Sequence, residues 1–365
     1  MDHRQRFVRT LLGQEVDRVP FIKVFGSDNA VLPHWEEEYP GIGQELDNLI
    51  GFDCPYRGWS IVPVNFDLSN RGEPEVSTKP GGEVVYRWVD GTVAISLPHG
   101  DFHSQTVEYP VKTREDWKRV RDNYMDPDDP ARFPENWEEC VANLNSRDYP
   151  LQLTHPGVYG CMRKLIGDEQ LCTMFYDDPE LIHEMMGYCT DMVIRIWDKL
   201  TSRIAFDLVE FWEDMASKNG PLVSPVTFRK FMKPNYLKVA DYAKAHDIRI
   251  LLVDSDGYTD NLADLMVESG VNAMYPFEVL AGCDVASTLD RLPNMSAIGG
   301  LDKNCMALGK AAMDAELDKA RRLIKRGRYI PGPDHFVLSN VKFDSYRYFM
   351  ERLKDIVVTT KPGGS

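Results

Sequence analysis

The 365-residue chain carries 57 acidic against 42 basic residues, and its net charge of −15 argues against nucleic acid or an anionic membrane as its partner. Apolar residues make up 43% of the chain, enough for a sizeable core, and their runs are strand-length, so no membrane span is expected. Seven cysteines without a C-x-x-C pair, and a charged N-terminus lacking the apolar stretch of a signal peptide, point to a reduced, cytoplasmic protein.

Phe7, Val8, Leu11 and Leu12 fall at helical spacing and predict a short amphipathic helix. Val19 to Phe25 then reads as a first buried strand. From about 51 to 111 short β-like pieces alternate with turn signals. Val84–Val89 and Thr92–Ile95, joined by Asp90-Gly91, predict a hairpin, because Asp-Gly suits a tight primed turn. Residues 113 to 148 are polar and Pro-rich, with Trp117 and Trp137 expected to anchor surface helices. The stretch 70 to 150 is expected to elaborate a core, leaving residues 1–365 as one domain.

From 151 onward strands and helices alternate. Leu151–Thr154 leads to His155-Pro156-Gly157, and Leu181 to Leu200 form a long apolar helical stripe. Phe206–Phe211 leads to Trp212-Glu213-Asp214, and a helix through Phe228, Phe231, Met232 and Leu237 comes next. Ile248 to Gly257, IRILLVDSDG, is an unbroken aliphatic run ending in Asp254 and Asp256, spaced i, i+2 so that both project the same way. Asn272–Pro276 leads to Glu278, Ser296–Gly300 to Asp302-Lys303, and Tyr329–Pro331 to His335. Helices are expected around Leu262–Met266, Leu317–Ile324 and Tyr346–Ile356. This rhythm predicts an α/β fold, a (β/α)8 TIM barrel with an inserted β-hairpin and loop elaboration in its N-terminal half. A doubly wound open sheet is the alternative; no GxGxxG follows the first strand and no GxxxxGK[ST] occurs.

Barrel chemistry sits where the strand ends converge. His155, Glu213, Asp214, Asp254, Asp256, Glu278, Asp302, Lys303 and His335 all follow predicted strands, an inventory suited to metal binding or acid–base work. Each also has a structural explanation. Asp256 would cap the helix near Thr259. Glu213 and Asp214 would pair with Lys218, and Glu278 would be a satisfied loop acid. His335 would brace its loop, Asp302-Lys303 would be an ion pair at a helix start, and His155-Pro156-Gly157 a turn. His99 and His103 flank Gly100-Asp101 and would reach over the mouth. His3, His34, His183 and His246 read as structural. No GxSxG occurs, which leaves acyl transfer without support.

The pieces FWEDMASKNGPLVSPVTFRKFMKP, LLVDSDGYTDNLADLMVESGVNAMYPFEV, AIGGLDKN and GRYIPGPDHFVLSNVKFDSYRYFMERLKDI resemble the uroporphyrinogen decarboxylase superfamily, as more loosely does RFVRTLLGQEVDRVP. The resemblance implies a (β/α)8 barrel and a cytoplasmic enzyme. True uroporphyrinogen decarboxylases hold a polycarboxylate tetrapyrrole with an Arg-rich segment resembling RQAGRY; the matching PFIKVFGSDNA has Lys23 and no arginine. Corrinoid-linked thiol methyltransferases of the superfamily hold zinc with a His-x-Cys pair and a later Cys. Those places fall on Asp254, Asp256 and His335, which keep ligand types but lose both sulfurs. Such a set leaves a bound metal harder and better suited to polarising an ether oxygen.

The resemblance therefore implies a methyltransferase that moves a methyl group from a small methoxylated substrate to cobalamin carried by a separate corrinoid protein. Zinc at Asp254, Asp256 and His335, joined by Glu213 or Glu278, would act as Lewis acid, and Glu213 is a further catalytic candidate. His155, Glu278, Asp302 and Lys303 would bind substrate. The alternatives are a metal-free decarboxylating lyase, whose positive charge would come from Lys218, Lys303 or Arg57; a methylcobalamin:thiol methyltransferase; and a barrel that binds a tetrapyrrole or corrinoid partner without turnover. A homodimer is left open.

Overall fold

Aliphatic runs that do not alternate need cover on both faces, and the fold supplies it with helices outside and a packed lumen inside. The computed structural model describes residues 1–25, 31–54, 58–69, 71–96 and 104–363. Seven parallel strands form one curled sheet: β1 (Ser60–Ile61), β2 (Leu151–His155), β3 (Leu208–Trp212), β4 (Ile250–Asp254), β5 (Ala273–Tyr275), β6 (Ser296–Leu301) and β7 (Tyr329–Pro333). They lie side by side in chain order, in a TIM-barrel-like α/β arrangement. Helices Pro179–Thr201, Lys233–Ala245, Asp260–Val267, Lys310–Arg326 and Phe343–Thr359 alternate with the strands from β2 onward.

The expected first strand is corrected. Val19, Phe21, Ile22 and Val24 are buried, yet residues 19–25 form no ladder. Pro20 has no N–H to give, and the Phe21 N–H and C=O are spent on Asp53, whose carboxylate accepts at 2.9 Å and whose own N–H donates at 2.9 Å. Ile22 packs against Gly58 and Val24 against Gly332, beside the two edge strands β1 and β7.

Side chains alternate between the two faces of each strand. Leu208, Ile250, Leu252, Ala273, Tyr275, Ile298 and Ile330 share a lumen cluster with Phe7 and Leu11 of the helix His3–Leu11. Leu151, Leu153, Val209, Phe211, Leu251, Val253 and Met274 belong instead to the cluster that packs under the helices.

Glu75–Thr78, Val84–Arg87, Val93–Ser96 and Gln105–Glu108 form a separate four-stranded antiparallel sheet. Within it 84–87 pairs with 93–96, and Trp88 donates to the Thr92 carbonyl at 2.9 Å around Gly91, at φ 102°. Trp117 is buried and anchors the helix Arg114–Tyr124, its indole donating to Glu184 of the long helix at 2.8 Å. All seven cysteines are free. No helix among the described residues is long and apolar enough to cross a membrane.

His155 shares the outward parity of Leu151 and Leu153, so it lies in the helix layer and not at the mouth. It is fully buried, 5.0 Å from the Phe211 ring and 6.0 Å from Trp197. Its Nδ1 accepts from Gly157 N–H at 3.1 Å, while Nε2 has no partner among the described residues. The expected substrate role of His155 is corrected accordingly. Burial holds its pKa down to about 3, against 6.5 for a free histidine. Below pH 6.5 the unfolded chain takes up a proton that the native chain refuses. Stability that is complete above pH 6.5 therefore falls as the pH drops, by up to about 1.4 kcal/mol per unit. Urea unfolding at pH 7 and pH 5 should show this loss in the native chain, and a reduced loss in His155→Phe.

Candidate active site

The loop after β4 is clamped from both sides. Asp256 N–H donates to Asp214 Oδ1 at 3.3 Å, and Gly257 N–H donates to Glu278 Oε2 at 2.8 Å. Ser255 N–H donates to the Tyr275 carbonyl at 3.1 Å, and its hydroxyl accepts from Met215 N–H at 3.2 Å. Gly257 sits at φ 84°, where a Cβ would lie 2.5 Å from the Ala216 carbonyl oxygen, so only glycine lets the loop run this close to its neighbour. Asp214 and Phe277, in the loops after β3 and β5, have φ of 42° and 61°. Left-handed backbone at non-glycine residues is costly and gathers at functional sites.

These clamps bring acids from three strand ends together. Donor atoms of Asp214, Asp254 and Asp256 lie within 4.8 Å of one another, and so do those of Asp256, Glu278 and His335. Asp256 belongs to both groups, and its Oδ2 is 3.4 Å from His335 Nε2. The imidazole is oriented by aromatics: it stacks on Phe25 at 4.8 Å and meets Phe336 edge-on at 5.0 Å. Of the expected trio, Asp256 lies with His335 and Glu278 in one group and with Asp254 and Asp214 in the other. Asp254 lies deeper, with inward parity, where its carboxylate accepts from Tyr275 Oη at 2.8 Å.

Three other expected site residues point elsewhere. Glu213 is fully buried and caps the helix Val158–Ile166, accepting from the N–H groups of Val158 (2.6 Å), Tyr159 (2.8 Å) and Gly160 (3.1 Å) and from the Tyr236 hydroxyl. Gly157 makes this fit possible, since a Cβ there would sit 2.2 Å from the Trp212 carbonyl oxygen. Burial raises the Glu213 pKa, while its four donors favour the charged form. Asp302 turns to its own helix start, accepting from Asn304 N–H at 2.9 Å and Nδ2 at 2.7 Å. Lys303 lies 3.6 Å from buried Asp334 and 3.9 Å from Glu278, so its charge is largely neutralised on the rim. Burial raises the Asp334 pKa. His99, His103 and Arg57 lie outside the described residues.

Glu210 joins the site although its place after a strand could not mark it. It interrupts the apolar strand LVEFW at an inward position, and is buried with its carboxylate against the Tyr275 hydroxyl. Asp214 is held by the Trp212 indole at 2.7 Å and by Arg163 at 3.3 Å. A carboxylate that only caps a helix differs in test from a catalytic one. Glu213→Gln leaves one side-chain N–H group facing backbone N–H donors. It should cost about 1–3 kcal/mol of stability in urea unfolding, with substrate turnover per folded molecule unchanged.

A family profile described as uroporphyrinogen decarboxylase (URO-D) matches residues 106–356. No curated protein matches the chain by sequence. Among solved structures it is similar to a methyltransferase from Methanosarcina mazei, with 12% identity, 98% of each chain covered and a TM-score of 0.60, which supports the fold. A structure titled as a vitamin-B12-independent methionine synthase from Listeria monocytogenes shares 12% identity over 59% of this chain and 69% of that one. Its TM-score of 0.36 is too low to carry an argument. With 251 consecutive residues matched to that profile, the chain belongs to the uroporphyrinogen decarboxylase family.

Proposed function

We propose that this family member is a methyltransferase of a corrinoid-dependent system, taking a methyl group from a small O-methyl substrate and passing it to cobalamin on a partner protein. The observation that carries this reading is the gathering of Asp256, Glu278 and His335 from the ends of β4, β5 and β7. Two carboxylates and an imidazole, with Asp214 and Asp254 next to Asp256, form a donor set suited to zinc or a similar divalent ion. A bound divalent metal supplies Lewis acidity toward an ether oxygen, as methyl loss from oxygen requires.

The chain's own residues shape the rest. Phe25 and Phe336 fix the His335 ring, and the backbone N–H groups of Asp256 and Gly257 hold Asp214 and Glu278 in place. The Tyr275 hydroxyl sits between the carboxylates of Glu210 and Asp254 in the lumen below. Exposed Leu280, Leu308 and Leu338 sit on the loops after β5, β6 and β7 and offer apolar contact to a docking protein.

Two other chemistries fit less well. A polycarboxylate lyase needs cations, yet Lys23 is buried on Asp47 at 2.9 Å, Lys303 is shared by Asp334 and Glu278, and Lys218 is exposed on the turn after β3. The carboxylates of Asp214, Asp254, Asp256 and Glu278 would repel such a substrate. A zinc–thiol site of the sulfur-ligated kind lacks its cysteines. Cys283, the thiol near this loop, is buried against Thr259 and the Gly257 carbonyl, and burial raises its pKa.

Zinc binding by calorimetry, followed by methylation of added corrinoid protein read from its absorbance, tests the proposal. Asp256→Ala and His335→Ala should each weaken zinc binding at least tenfold and lower methyl transfer in step. Unchanged zinc affinity and unchanged turnover in both variants would contradict it.

A further inference from the structure

Lys164 stands apart from the acids in which this chain is rich. It lies in the helix Val158–Ile166, and among the described residues its ammonium makes no hydrogen bond or ion pair. Its neighbour Arg163 is committed to Asp214 at 3.3 Å. The Lys164 ammonium sits 4.5 Å from the centre of the Trp212 ring, and Trp212 donates through Nε1 to Asp214 in the mouth cluster. Lys164 is half-buried, and burial lowers its pKa while the charge of Asp67 opposes that shift. A cation that lines a cavity without an ion-pair partner among the described residues is available to an anionic ligand.

The cavity is there. About 190 Å³ opens between the antiparallel sheet and this helix, and its lining includes Lys164, Arg71, Ser69, Thr92 and Asp90. Asp90 is already satisfied: it accepts from Ser69 Oγ at 2.8 Å and Thr92 N–H at 2.9 Å, and Arg71 is 3.7 Å away. Asp67 also lies on the lining, but it is exposed and forms no ion pair with Lys164. The Thr92 hydroxyl is buried with no hydrogen-bond partner among the described residues. A space this small accepts a head group and not a whole ligand, since small-molecule sites usually run to ~300–1,000 Å³. Trp212 lies outside this lining but beside Lys164, and its nearly half-exposed indole leaves apolar surface for the body of a ligand held by its head group.

We propose that Lys164 and the cavity beneath it hold the carboxylate of a small organic acid whose apolar body lies on Trp212, one indole ring away from Asp214. This deepens the function proposed above by naming the charged end of its substrate, and it rests on that reading. The binding itself needs neither metal, partner protein nor turnover, so the two can fail separately.

Benzoate and its neutral isostere benzamide are the probes, titrated by calorimetry against the full chain. Benzoate should bind at least tenfold more tightly than benzamide. Lys164→Met should remove that difference and leave the melting temperature close to that of the native chain, which separates lost binding from lost folding. Trp212→Ala should weaken both probes. Inorganic phosphate should compete poorly with benzoate, since it has no apolar body for the indole. Equal affinity for the two probes, benzoate binding untouched by Lys164→Met, or phosphate displacing benzoate at equal concentration would each overturn the proposal.

Discussion

The two-residue period of the strand governs this protein. In a curled parallel sheet with helices outside, each successive side chain faces either the helix layer or the lumen, and the last inward one stands at the mouth. Asp254 shares the parity of Ile250 and Leu252 and so ends its strand facing inward. His155 shares the parity of Leu151 and Leu153, and the same rule sends it outward among Phe211 and Trp197. Both residues end a strand. One residue of phase separates a carboxylate at the mouth from a core histidine.

Much of the fold was readable because each strand from 151 onward is an aliphatic run bounded by polar turns, and each helix has a clear apolar stripe. Residues 19–25 misled for a physical reason: burial and β-branched composition resemble a strand, but Pro20 and the Asp53 contacts take the ladder away. The site was less readable. Position after a strand located Asp256, Glu278 and His335, yet it did not distinguish a side chain facing the mouth from one serving its neighbour's backbone. Glu213 does the latter, spending both oxygens on the helix that begins at Val158. Asp302 does so on a smaller scale at Asn304. Glu210 carried a signal, an acid inside an apolar strand, that only parity could turn into a lumen position.

The mouth is built from acids that support one another. Asp214 and Glu278 hold the backbone of the loop that presents Asp256, and Arg163 and Trp212 in turn hold Asp214. This mutual bracing keeps several carboxylates close in spite of their repulsion, an arrangement that a cation would relieve. The donors at the mouth are oxygens and an imidazole, harder ligands than thiolates for any cation bound there. Lys164 stands across the Trp212 ring from Asp214, and on the proposed reading it would orient a substrate that has a charged end.

Whether these acids hold a metal decides the account. Crystals of the full chain equilibrated with zinc, measured at the zinc absorption edge, would show it directly. An anomalous peak among Asp256, Glu278 and His335 is the predicted result. Full diffraction with no peak within reach of Asp256 would contradict it.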